Sequence, residues 1–165
     1  MTMDSSTDEI LEHEWTVLCR SSAVDKDSGA LSVFNIVNRM TVNRARVDEH
    51  MKQTGKDEFV VPTDFELITL WSKRSEQSVS VEAKTEILDP SGRSMMRFSY
   101  NVYLKEGNQR RRNRAKIHGF KITGEGRYRI AISVRKDEGE QYRPVTETSL
   151  DVIFGATAVT GPRNQ

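Results

Sequence analysis

Cysteine is nearly absent. The single thiol, Cys19, excludes an intrachain disulfide and makes a reducing compartment admissible. Apolar runs are short. None approaches the ~20 residues that a membrane-spanning helix requires. The first fourteen residues hold Asp4, Asp8, Glu9, Glu12 and Glu14 but no lysine or arginine. They lack the basic start and apolar centre of a secretion signal. The expectation is a soluble cytoplasmic protein with no membrane partner.

Chemistry-bearing motifs are missing as well. The histidines, His13, His50 and His118, stand far apart, and with one cysteine they give no zinc-ligand spacing. No serine sits in a nucleophile elbow. His118, inside an alternating segment, reads as a structural side chain rather than a base. Gly119 and Gly124-Glu125-Gly126 precede a strand pattern, whereas a dinucleotide-binding loop must open a helix. Asp25, Asp27 and Asp89 are candidates for calcium. Each lies in a short Asp/Ser/Gly turn, where an aspartate caps its own backbone, and calcium needs six to eight converging oxygens. No catalytic residue, metal site or cofactor is expected, and the chain reads as not an enzyme.

What the chain does have is alternation. The clearest case lies between Arg112 and Val134. Tyr128, Ile130, Ile132 and Val134 point one way, while Arg127, Arg129, Ser133 and Arg135 point the other, as in a strand with one buried face. A strand over 115–122, the Gly124–Gly126 turn and a strand over 128–134 predict a β-hairpin. Earlier, Trp15, Val17 and Cys19 alternate with Thr16, Leu18 and Arg20, which places the thiol on an apolar side, where it is buried and inert. A turn over 25–29 and an apolar run, LSVFNIVNRM, complete a first hairpin. Because both faces of that run are apolar, it is expected to lie centrally in its sheet.

Residues 41–58 break the pattern. A short helix with Asn43 as cap and Gly55 as stop is one reading, and a long connection is the other. Further strands follow. Phe65, Leu67 and Trp71 share a face, and Pro62 must sit at a strand start or a bulge. Val79, Val81, Ala83 and Ile87 alternate with polar residues. Asp89-Pro-Ser-Gly92 is a β-turn. Met96 to Leu104 and Val145 to Phe154 give the remaining strands.

About eight strands with little helix predict an all-β, antiparallel β-sandwich of immunoglobulin-like type. The alternative is a closed barrel. At 165 residues the chain fits one domain. Its sandwich is expected over 13–154, with a flexible acidic arm (1–12), a flexible tail (155–165) and at most one short helix near 43–54.

The LSVFN hairpin after DKDSG, the DPSG turn and the RNRAKIHGFKITGEGRYRIAISV segment together resemble a family of small uncharacterised bacterial β-sandwich proteins. That resemblance covers roughly 14–154. It implies the fold and a bacterial source, and it carries no activity or cofactor.

One surface feature is sharp. Arg110, Arg111, Arg112, Arg114 and Lys116 put five cations into seven residues. Strand alternation sends Arg112, Arg114 and Lys116 to one face and Arg111 to the other. Glu82 and Glu86 are expected to neutralise them across strands, and the acidic stretch 4–14 is a second candidate to lie against them. With a formal net charge of only +1, the preferred function is a non-enzymatic binding or assembly module with a protein partner or self-association. Phosphate binding, and hence nucleic acid, is the alternative. An enzyme with an unrecognised site ranks last.

Overall fold

The computed structural model describes residues 11–156. Eleven strands and one helix follow in order. They are β1 (Glu12–Val24), β2 (Leu31–Ile36), β3 (Arg39–Asn43), α1 (Arg44–Thr54), β4 (Phe59–Val61), β5 (Phe65–Ser72), β6 (Val79–Leu88), β7 (Ser94–Leu104), β8 (Arg110–Ile117), β9 (Phe120–Ile122), β10 (Gly126–Arg135) and β11 (Arg143–Gly155). A four-stranded sheet, β2-β1-β5-β8, packs on a five-stranded sheet, β3-β11-β10-β6-β7, and β4 pairs with β9 in a small third sheet. This is the all-β sandwich that the alternation predicts. The inward side chains of both sheets form one core, from Leu18, Phe65, Leu67 and Trp71 to Ile87, Tyr128, Ile130, Ile132, Leu150 and Val152.

Three features depart from the expected layout. The strand count is eleven rather than about eight, because three-residue β4 and β9 and five-residue β3 are separate elements. The pairing is not wholly antiparallel, since β3 runs parallel to β11 with Met40 beside Val152. The LSVFNIVNRM run is not one central strand. Its first half is β2, the edge of the four-stranded sheet. Its second half is β3, the edge of the other sheet. The amide of Val37 bonds to Leu18 and the carbonyl of Asn38 accepts from Asp151, so the chain steps from one sheet to the other between these residues. Apolar side chains on both faces of the run therefore mark a crossover, not burial on two sides.

The predicted hairpin around Gly124–Gly126 does not form. The segment from Ala115 to Ile122 breaks at Gly119 (φ 71°). Its halves join different sheets, β8 beside β5 and β9 beside β4, while β10 pairs with β6 and β11. The turn residues are real, but they connect sheets rather than adjacent strands.

Helix α1 begins and ends where the sequence allows. The side chain of Asn43 accepts from the amide of Arg46, and Gly55 closes the last turn in the left-handed region at φ 66°. Pro62 lies in the gap between β4 and β5, where no ladder needs its missing N–H.

The DPSG turn is tied down from inside. One Asp89 carboxylate oxygen accepts from the amides of Ser91 and Arg93 and from the Ser91 hydroxyl. The other accepts from the Thr123 hydroxyl at 3.0 Å. Burial raises the affinity of this carboxyl for a proton, but the hydrogen bonds from Ser91, Arg93 and Thr123 outweigh it and hold its pKa at about 2. The fully buried Tyr128 reaches the same corner, accepting from the amides of Thr123 and Gly124 and donating to the Gly124 carbonyl.

Candidate binding surface

The two outer sheet faces differ in charge bookkeeping. On the five-stranded sheet the charges pair with one another, across strands in all cases but Lys84–Glu86, which lies within β6. Arg127 meets Asp151, Arg129 meets Glu147, Arg135 meets Glu82, and Arg97 and Lys84 meet Glu86. Glu82 and Glu86 are thus consumed on their own sheet and do not neutralise the basic run, which is a correction to the sequence reading. The reason is topological: β8 pairs only with β5.

On the four-stranded sheet, Arg110, Arg112, Arg114 and Lys116 stand opposite Ser72, Leu70, Ile68 and Glu66 of β5. Strand β5 thus offers this row a single carboxylate. Arg111 points to the other side and donates to the Tyr103 carbonyl at 3.0 Å. Arg110 meets Glu14 at 3.0 Å. Glu12 meets Arg74 instead. Asp4, Asp8 and Glu9, with the rest of residues 1–10 and with 157–165, lie outside the described residues. Leu11 is already buried in the core.

Arg112 and Arg114 reveal the shape of the first hairpin. Arg112 aligns through Leu70 with Trp15, and Lys116 aligns through Glu66 with Cys19. At about 3.3 Å per residue, a straight β1 would carry Val24 about 30 Å beyond the level of Arg112. Yet the guanidinium of Arg112 donates to the Gly29 carbonyl at 2.7 Å, and Arg114 donates to the Ser22 hydroxyl at 3.3 Å. The Ser22 hydroxyl in turn donates to the Glu66 carboxylate. The far half of the β1–β2 hairpin must swing back over the outer face of β5 and β8. The bend falls at Asn35, a non-glycine residue with positive φ (54°), between the paired rows Cys19–Ile36 and Ser21–Phe34.

This covering accounts for two otherwise puzzling burials on an outer face. Cys19 is fully buried and Ile68 is 1% exposed. Burial pushes the Cys19 thiol up, and Glu66 adds to the shift. The thiol donates weakly to the Glu66 carbonyl. The covering hairpin itself shows apolar side chains to solvent. Ile36 is 67% exposed, and Phe34 and Val24 are each 49% exposed. Phe34 pairs with Ser21, one residue from the hydroxyl that Arg114 holds. An exposed apolar edge strand and a row of cations therefore meet. Alternation placed the cations on one face, but nothing local marked β2 as an edge.

The remaining candidates resolve into structural roles. Asp25 accepts from the amides of Asp27 and Ser28 and from the Ser28 hydroxyl, which holds its carboxyl below the usual range. Asp89 is committed to its own turn in the same way. Among the described residues no three His, Cys, Asp or Glu side chains converge as a metal site requires. His50 stacks edge-on against Phe59 and His118 faces Asp64.

His13 lies edge-on to Trp71 at 5.7 Å, and burial lowers its pKa. Its ring nitrogen bonds to the Thr16 hydroxyl, which donates to Thr69. No helix among the described residues is long and apolar enough to cross a membrane.

No protein-family model and no curated protein matches the chain. Solved structures offer remote likenesses. A β-glucuronidase from glycoside hydrolase family 2 aligns at a TM-score of 0.40 and 12% identity, over 58% of this chain and 11% of its own. The Pseudomonas fluorescens alkylpurine DNA glycosylase AlkC, bound to DNA containing an abasic site analog, aligns at 0.47 and 7%, over 86% of this chain and 30% of its own. The C-terminal domain of Wzt aligns at 0.38 and 12%, over 56% and 60%. The chain thus spans less than two thirds of each of these, and no property of theirs is carried to it.

Proposed function

We propose that this domain is a non-enzymatic binding module that takes an extended acidic segment of a partner protein along the β2 edge. The observation that carries the reading is that edge strand. Natural sheets protect free edges with charges, prolines or coverings, whereas β2 presents Phe34 and Ile36 to solvent. An added strand would pair with its free backbone, and alternate side chains would rest on those two residues. The neighbouring cations supply the charge complement. Arg112 and Arg114 each have further N–H groups beyond the one donated within the hairpin, and Lys116 adds a third charge.

A protein segment suits this surface better than a phosphodiester chain does. Arg110 and Arg111 are spent within the domain, on the Glu14 carboxylate and the Tyr103 carbonyl, which leaves too short a row of cations to track a phosphodiester backbone. Of the exposed apolar side chains here, Ile36 and Val24 are aliphatic and leave Phe34 as the one ring on which a base could stack.

The test is selection of displayed random twelve-residue peptides on the wild-type protein and on the Phe34→Lys/Ile36→Lys variant. The expected winners alternate aliphatic with acidic residues, bind the wild type, and lose at least about tenfold on the variant. Winners that bind both proteins equally, or no winners, would overturn the reading. Labelled DNA and RNA run beside them give the rival outcome, a binding constant that falls steeply with salt. Sedimentation of wild type and variant reports self-association through the same edge.

A further inference from the structure

The sandwich has a gap where its two sheets end. Strand β7 closes one sheet and β8 closes the other. Between them lies a cleft of about 130 Å³. Its walls are apolar: Leu67 from β5, Phe98 from β7 and Ala115 from β8. The rest of its lining is polar, with Thr69, Tyr100 and Asn113. Arg114 stands at the rim with its guanidinium turned to Ser22, so no charge enters the interior. The rings of Phe98 and Tyr100 stack at 6.4 Å along one wall.

The polar lining is incompletely satisfied. The Oδ1 atom of Asn113 is buried without a hydrogen-bond partner. Behind the cleft, the Trp71 indole N–H and the Thr85 hydroxyl are buried around the Tyr100 hydroxyl, which is their polar neighbour. Buried polar groups without partners cost free energy and are rare in folded proteins. One such oxygen, on the wall of an otherwise largely apolar slot, describes a site shaped for a molecule with one polar end.

We propose that this cleft binds a small, uncharged, hydroxylated molecule whose flat apolar body lies between Leu67, Ala115 and the Phe98 ring and whose hydroxyl meets Asn113. The volume sets the size. A closed cavity of about 150 Å³ accepts one benzene ring; this cleft, at about 130 Å³ and partly open to solvent, therefore takes one ring and nothing larger. The chemistry sets the polar group. A hydroxyl both donates and accepts, so it satisfies either end of the Asn113 amide, whereas a carboxylate cannot donate to Oδ1. Neutrality follows from an interior without a counter-charge. The cleft opens between the two sheets, whereas the β2 edge and its cations lie on the outer face; Arg114 touches both, at the rim of the cleft.

Phenol is the probe, benzene the comparison, and the full chain the sample. Methyl NMR of Leu67 and Ala115 reads the cleft directly. Phenol is expected to shift both resonances saturably, with a dissociation constant of about 1 mM for a ligand of seven heavy atoms. Benzene is expected to bind at least about tenfold more weakly, the worth of one well-made hydrogen bond. Asn113→Leu should bring phenol down to the level of benzene, and Ala115→Leu should abolish both.

Three results would overturn the proposal. They are no saturable shift at Leu67 and Ala115, equal affinity for phenol and benzene, and phenol binding that survives Ala115→Leu. Any of them leaves the cleft to water. The phenol-to-benzene ratio on the wild type needs no variant, so the proposal stays testable if a substitution disturbs folding.

Discussion

Replacing Asp89 with Asn leaves the shape of the DPSG turn and removes one charge. In the native state that carboxylate accepts from two amides and two hydroxyls, and its pKa is about 2 against an ordinary value of 3.8. A depressed pKa means that the folded state favours the ionised form. The contribution is therefore present in full above pH 3.8 and is lost as pH falls toward 2. At 1.36 kcal/mol per unit, the difference is worth about 2 kcal/mol at pH 7, about half of that at pH 3, and little at pH 2. For a chain of this size, that corresponds to a drop in Tm of about 4–8 °C at neutral pH. Urea unfolding of wild type and Asp89→Asn, run in parallel from pH 7 to pH 3, isolates the term, because every other carboxylate titrates alike in both proteins. The two stabilities should converge as pH falls. A gap that stays constant with pH would refute the reasoning and assign the loss to packing of the amide instead.

Three further outcomes follow from contacts described above. Arg112→Ala/Arg114→Ala releases the hairpin from β8, so Cys19 should react with a thiol reagent at least about tenfold faster, while global stability falls by no more than about 1 kcal/mol because both bonds are exposed. Gly126→Ala should cost about 1–3 kcal/mol in a thermal melt, since an added Cβ would lie 2.7 Å from Pro90 at φ 137°. Gly124→Ala, with nothing within 4 Å of its Cβ position, serves as a near-neutral control. Asn43→Ala removes the cap of α1 and should cost about 1 kcal/mol, read as faster amide exchange over residues 44–54.

Local rules were legible where the information is local. The inward positions of β6 and β10, both ends of α1 and the first hairpin all follow from alternation, capping and turn chemistry. What alternation cannot carry is which sheet a strand joins. Gly124-Glu125-Gly126 has hairpin residues, yet it links β9 to β10 in a different sheet, because a reversal of the chain does not oblige its flanks to pair. LSVFNIVNRM reads as one strand, since a crossover between sheets keeps extended backbone on both sides of Val37 and Asn38. The basic run was visible as composition. That Arg112 and Arg114 hold a returning hairpin depends on a bend at Asn35; asparagine tolerates a left-handed backbone, but nothing local sets Asn35 apart from Asn38 in the same run.

That step at Val37–Asn38 bears on how the domain assembles. Strand β3 has β11 as its neighbour, with Arg39 beside Asp151. More than a hundred residues separate them, and β11 sits inside its sheet rather than at the rim. Pairings so distant in sequence slow folding, because the loop must close before any contact rewards it. On the ribosome, β3 and β10 would emerge with the place between them empty. The five-stranded sheet can be completed only when β11 inserts there, so a nascent chain stalled before residue 143 should remain protease-sensitive, however well its first hairpin has formed.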